Sequence, residues 1–120
     1  MQDFRKLAVW RKSLDLAREI YRLTATFPNN EKFGLTSQMR RAAVSIASNL
    51  AEGCGRGTPA DMRRFLLIAM GSASELHCQL LLAHELDFLT PEALAAAEPP
   101  LEEVKRMLAT LILRIAPREL

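Results

Sequence analysis

Arginines are the residues of this chain whose type and spacing best suit a chemical role. Arg40-Arg41 and Arg63-Arg64 are adjacent pairs, each near the start of a helical segment, and Arg56 lies in the turn between those segments. A further pair, Arg5-Lys6, opens the chain. Cations at a helix start oppose the helix dipole, so helix stability does not account for them. The chemistry they suit is contact with phosphate groups, a sequence-independent attraction that weakens as salt rises. Their competing role is a solvated surface in which they pair with Glu52, Asp61 or Glu75. No aromatic residue lies between Arg40 and Arg64, which weakens the case for stacking against unpaired bases.

Other chemistries lack their parts. Helical bundles hold di-iron centres with Glu-x-x-His on two helices, and that pattern does not occur here. Glu75 and His77 are two residues apart and diverge on a helix. His77 and His84 share a face but stand about 10 Å apart along the axis, too far for one ion. The run Gly53-Cys54-Gly55-Arg56-Gly57 follows a helix and carries no Lys-Ser/Thr, so it reads as a helix end and tight turn rather than a phosphate loop. Cys54 and Cys78 have no adjacent His-and-carboxylate set, and Glu102-Glu103 is an ordinary acidic helix start. The chain is therefore expected to bind no metal or cofactor and to have no enzymatic activity.

Four helical segments position these residues. The first runs from about Leu7 to Phe27 and stops at Pro28-Asn29-Asn30. Leu7, Trp10, Leu14, Ala17 and Tyr21 form one apolar stripe, with Val9, Ser13, Leu16, Ile20, Leu23 and Phe27 beside it. The second starts at Thr36 or Ser37 as cap and ends around Gly53, with Met39, Ala42, Ala43, Ile46 and Leu50 as its core stripe. Thr58-Pro59-Ala60-Asp61 starts the third, which runs to about Leu86 on a stripe of Met62, Phe65, Ala69, Ala73, Leu76, Leu80 and Ala83. Thr90-Pro91 starts the last, which Pro99-Pro100 should break or kink and Pro117 should end. Asn49, Glu52, Ser72 and Glu75 are polar side chains on otherwise apolar helices. They are expected to find partners, the two glutamates through arginines of other helices or subunits, and so to fix the packing register.

At 120 residues the chain is one domain, 1–120, large enough to hold a core without metal or disulfide. Hydrophobic residues make up 49% and aromatics only 6%, which favours helices over a sheet. Short connections between long helices give an all-α, antiparallel up-and-down four-helix bundle. Val44, Ala47 and Ala51 on the second helix, with Leu66, Leu67, Ile68, Met70, Leu81 and Leu82 on the third, exceed what one bundle can enclose. They argue for a homo-oligomer. The longest uninterrupted apolar run is Phe65 to Met70, short of the ~20 residues of a membrane span. The charged start MQDFRKLAVW does not resemble a signal peptide, so a cytoplasmic location with reduced thiols is expected. Residues 1–64 hold twelve Lys and Arg against six Asp and Glu, whereas residues 65–120 hold four against eight. A basic half on a nearly neutral chain points to a polyanion or an acidic protein face as partner.

The run GLTSQMRRAAVSIASNLAEGCGR, with FRKLAVWRKSLDLAREIYRLTATFP before it and FLLIAMGSASELHCQLLLA after it, resembles a known family. It is similar to the bacterial four-helix-bundle proteins of ribosomal-RNA intervening sequences, often labelled ribosomal proteins. The accessory variability protein of diversity-generating retroelements is a relative of these. Arg40, Arg41, Ala42, Ser45, Ile46, Asn49, Ala51, Glu52, Gly53 and Arg56 carry the most specific motif, and Gly71, Ser72 and Glu75 a second. Ala47 stands where the family usually has proline. The resemblance implies a protomer that assembles into a pentameric ring or barrel and a basic surface for nucleic acid. In the retroelement relatives it also implies a reverse transcriptase as partner. The combined expectation is weak, nonspecific RNA or DNA binding through Arg40, Arg41, Arg56, Arg63 and Arg64, or else a protein-binding scaffold without nucleic acid.

Overall fold

The computed structural model describes residues 2–115, and all its regular structure is helical. A 3-10 turn at Phe4–Lys6 opens it, where the Asp3 carboxylate accepts from the Arg5 amide at 3.0 Å. Helix α1 (Ala8–Thr24) buries Val9, Ser13, Leu16, Ile20 and Leu23. The stripe through Leu7, Trp10 and Leu14 is only half-buried, and Tyr21 is exposed, so it forms the shoulder of the helix rather than its core face. On the outer side Arg11 pairs with Asp15 at 2.7 Å.

Helix α2 (Leu35–Arg56) begins and ends elsewhere than its composition suggests. Neither Thr36 nor Ser37 caps it. Gly34 occupies the cap position, and the Glu31 carboxylate reaches forward to accept from the Leu35 amide at 3.0 Å. That leaves Thr36 inside the first turn, where it is buried. At the other end the helix continues one turn past Gly53 and stops at Gly57, whose φ of +87° is the left-handed conformation that glycine adopts without strain. Gly53 serves close packing instead: a Cβ there would lie 3.1 Å from the Phe65 Cβ and 2.9 Å from the Met62 sulfur.

Helix α3 (Pro59–Glu85) starts on Thr58, whose hydroxyl accepts from the Asp61 amide at 3.2 Å. Helix α4 (Pro91–Arg114) starts the same way on Thr90, which accepts from the Ala93 amide at 3.0 Å. Pro99 and Pro100 lie inside α4 and do not break it. Both rings face outward, while Ala97, Leu101 and Val104 on the opposite side are buried in the core. Packing of that inner face holds the helix through two residues that cannot donate to the preceding turn. The expected stop at Pro117 lies outside the described residues.

Each helix packs against two others: α1 on α2 and α4, and α3 on α2 and α4. The result is a four-helix bundle measuring 50 × 23 × 21 Å. Contacts such as Ser45 to Ser72 and Gly53 to Met62 run back symmetrically from the α2–α3 turn, as antiparallel neighbours require. Ile20, Met39, Ile46, Leu50, Leu76 and Leu101 are fully enclosed at the centre. Burial of each such side chain favours the folded state by about 1.5–3 kcal/mol. By length and composition α3 could cross a membrane, a feature its short unbroken apolar run conceals. Its stripe from Met62 to Ala83 is spent instead on the core between α2 and α4.

Candidate nucleic-acid interface

The five arginines singled out by the sequence do not form one patch. Arg41 and Arg56 are fifteen residues apart on α2, which separates them by about 22 Å along the helix axis. The chain therefore carries two basic regions, one at each end of α2.

At the α2–α3 turn, Arg56 and Arg64 converge on Phe65, their guanidinium carbons 5.2 and 4.5 Å from its ring centroid. Each also meets a carboxylate on its own helix: Arg56 bonds Glu52 at 3.1 Å, and Arg64 stands 3.6 Å from Asp61. These exposed pairs contribute little to stability but partly neutralise the charge. Arg63 is half-buried, and its Nε has no hydrogen-bond partner among the described residues.

At the other end of α2 the two neighbours have separate roles. Arg40 is built into the fold. Its Nε donates to Thr24 Oγ1 at 2.8 Å, its Nη2 donates to the Tyr21 carbonyl at 3.2 Å, and its guanidinium lies 4.5 Å from the Tyr21 ring centroid. Arg41 is exposed and pairs with no carboxylate among the described residues. It stands between two grooves. One, of about 600 Å³, lies towards α1 and adds Lys32, Phe33, Tyr21 and Val44. The other, of about 420 Å³, lies towards α3, with Ser45, Ser72 and Glu75 on its walls. Three-dimensional packing thus supplies the aromatic neighbours that the sequence between Arg40 and Arg64 lacks.

Only part of the expected polar network is connected. Ser45 and Ser72 share a hydrogen bond of 2.8 Å between α2 and α3. The Asn49 amide donates to the Ser45 hydroxyl at 2.9 Å and to the Ser45 carbonyl at 2.8 Å. Glu52 and Glu75 stay on their own helices, Glu52 with Arg56 and Glu75 accepting from Gln79 at 3.1 Å. Neither pairs with an arginine of another helix among the described residues: both are exposed, and Glu75, on the wall of the groove it shares with Arg41, takes its hydrogen bond from Gln79. Gln79, buried with its carbonyl oxygen unpartnered among the described residues, and Ser45, the link between Asn49 and Ser72, lie outside the set expected from the sequence. Both fall on the edge of the apolar stripes, where a polar residue is ambiguous by periodicity.

His77 belongs to an inter-helix contact with α4. Its Nε2 lies 2.7 Å from Glu98 Oε2, and Lys105 Nζ lies 3.4 Å from its Nδ1. Among the described residues no three His, Cys, Asp or Glu side chains gather as a metal site. Burial pushes the Cys54 thiol above its ordinary value, with the nearby Asp3 carboxylate adding to the effect. The outer face of α3 shows Leu67, Ile68, Leu81 and Leu82 each more than two-fifths exposed.

These features define a small four-helix-bundle protein with cationic side chains at both ends of one long helix and an uncovered apolar face on the next. The profile of the 23S rRNA-intervening sequence proteins matches residues 5–110, and the chain belongs to that family. Its fold is also similar to the crystal structure of a protein of unknown function from the S23 ribosomal protein family of Bacteroides thetaiotaomicron. The two are 28% identical, with a TM-score of 0.81 over 88% of this chain and 95% of that one. No curated protein has a significant sequence match to it.

Proposed function

We propose that this chain is a non-enzymatic bundle that associates with itself and binds RNA or DNA without sequence preference through its cationic side chains. The observation that carries the binding is Arg41, exposed beside Lys32 and Arg40 with no carboxylate paired to it among the described residues. A cation left free in this way contributes to a positive potential that a phosphate backbone neutralises. Arg56, Arg63 and Arg64 form a second, partly compensated contact at the far end of α2.

Self-association rests on the outer face of α3, where Leu67, Ile68, Leu81 and Leu82 have no cover in the protomer. A subunit number of five rests on the family resemblance alone. Copies arranged in a closed ring repeat the Arg41 region, and repetition raises affinity above that of one weak patch.

A salt titration of binding to a generic oligonucleotide tests the reading, with mass by light scattering beside it. Each phosphate contact adds about −0.9 to the slope of log affinity against log salt on duplex DNA. Absence of binding at low ionic strength refutes the nucleic-acid role, and a monomer mass at micromolar concentration refutes assembly. The apolar α3 face also favours a second reading, a scaffold for another protein. A monomer that binds no oligonucleotide leaves that second reading standing.

A further inference from the structure

The groove beside Arg41 has features that a purely electrostatic phosphate contact does not need. Phe33 follows Lys32 directly, lies in no helical stripe, and is 90% exposed, the most exposed of the large hydrophobic side chains described. Lys32 Nζ stands 5.5 Å from the centre of its ring. The groove is open, holds about 600 Å³, and is lined by Lys32, Arg40 and Arg41 with no carboxylate among its walls. Glu31, the acid nearest in sequence, is turned away onto the Leu35 amide at 3.0 Å. Ser37 and Ser45 add neutral hydroxyls to the wall.

The aromatic rings near the arginines are not equivalent. Phe65 is buried beneath Arg56 and Arg64, and the Tyr21 ring carries Arg40. Phe65 is therefore closed to a ligand, and Tyr21, which also lines the groove, has Arg40 against its ring. Phe33 is the more open ring of this groove, beside Lys32 and Arg41, which pair with no acid among the described residues. Arg40 is locked by its bonds to Thr24 and Tyr21, so it adds fixed positive potential, while Lys32 and Arg41 are exposed.

We infer that this groove is a subsite for one unpaired nucleotide of a single strand, its base stacked on Phe33 and its phosphate held between Lys32 and Arg41. The inference rests on the nucleic-acid reading and narrows it from any duplex or strand to a strand with exposed bases. The reason is geometric: a paired base is already stacked on both sides and has no face to offer, whereas an unpaired one has. The volume suits the size, since small-ligand sites span about 300–1,000 Å³. Stacking is indifferent to base identity, in keeping with binding that lacks sequence preference.

The test uses the whole chain, a labelled unstacked oligouridylate and a duplex of equal length, followed by fluorescence anisotropy at several salt concentrations. Phe33→Ala should weaken single-strand binding about tenfold and leave duplex binding unchanged, and Phe33→Trp should restore it. Lys32→Ala with Arg41→Ala should weaken both ligands and flatten the salt dependence on the single strand by about 0.7 per lost charge. Equal affinities of wild type and Phe33→Ala for the single strand overturn the subsite while the nucleic-acid reading stands. No binding of either ligand by wild type overturns both. A change in assembly mass on Phe33→Ala identifies the ring as a contact between copies and overturns the subsite as well.

Discussion

Pro99 and Pro100 sit ninth and tenth in α4, deep enough that each removes a hydrogen bond an interior residue would make. Their amides would otherwise donate to the carbonyls of Ala95 and Ala96. An interior proline costs a helix about 3 kcal/mol relative to alanine. Proline also restricts the unfolded chain, which returns about 0.4–1 kcal/mol. Both rings are exposed, so replacing either leaves the buried contacts of Ala97, Leu101 and Val104 intact. Pro100→Ala should therefore stabilise the protein by about 2 kcal/mol. With an unfolding entropy of about 2.1 cal/mol/K per residue over this length, the melting temperature should rise by about 8 °C. Urea unfolding monitored by far-ultraviolet circular dichroism measures the free energy, and a thermal scan gives the shift. An unchanged or lowered stability refutes the argument, because it means the prolines are not opposed by the rest of α4. The double variant should gain less than twice as much, since the two lost bonds belong to one turn.

The two adjacent arginines should separate in stability. Arg40→Ala loses two hydrogen bonds and the Tyr21 contact and should cost about 1–2 kcal/mol in urea unfolding, whereas Arg41→Ala should cost less than about 0.5 kcal/mol. Equal costs contradict the roles assigned to them. Glu75→Gln should weaken self-association without lowering protomer stability, as Glu75 meets no cation of its own chain among the described residues, and Glu52→Gln should change neither. Unchanged melting and unchanged assembly size for both variants remove any register-setting role. In the dissociated protomer iodoacetamide should modify exposed Cys78 well before buried Cys54, and assembly through the α3 face that carries Cys78 should slow its modification, as peptide mass mapping would record. Cys54 ionises less readily folded than unfolded, so above its ordinary value of 9.0 the unfolded chain binds fewer protons and stability falls as pH rises. Cys54→Ala should flatten that alkaline decline, and an unaltered decline would assign it to other groups.

Much of this molecule follows from residue order alone. The core stripes of α2 and α3 are buried, although Ala47 and Leu66, expected outside the core, are buried with them; Thr58-Pro59 and Thr90-Pro91 start helices, and the family motif lies on α2. These are local matters: a period of 3.6 residues fixes which side chains share a face, and a hydroxyl three residues before an amide can cap it whatever the rest of the chain does. The end of α2 was not legible, because Gly53 as a stop and Gly53 as a point of close approach look alike until α3 arrives beside it. Pro99-Pro100 likewise read as a break or kink, since the packing of Leu101 and Val104 that carries the helix through them comes from other helices. The arginines show the limit best. Spacing placed five cations in one stretch of sequence, but a straight helix carried Arg41 and Arg56 to opposite ends of the bundle. Folding against α1 then locked Arg40 onto Tyr21, left Arg41 without a carboxylate partner among the described residues, and put Phe33 in the same groove. Which charges remain uncompensated depends on what other segments bring within a few ångströms, and that is a property of the assembled bundle rather than of any stretch of the chain.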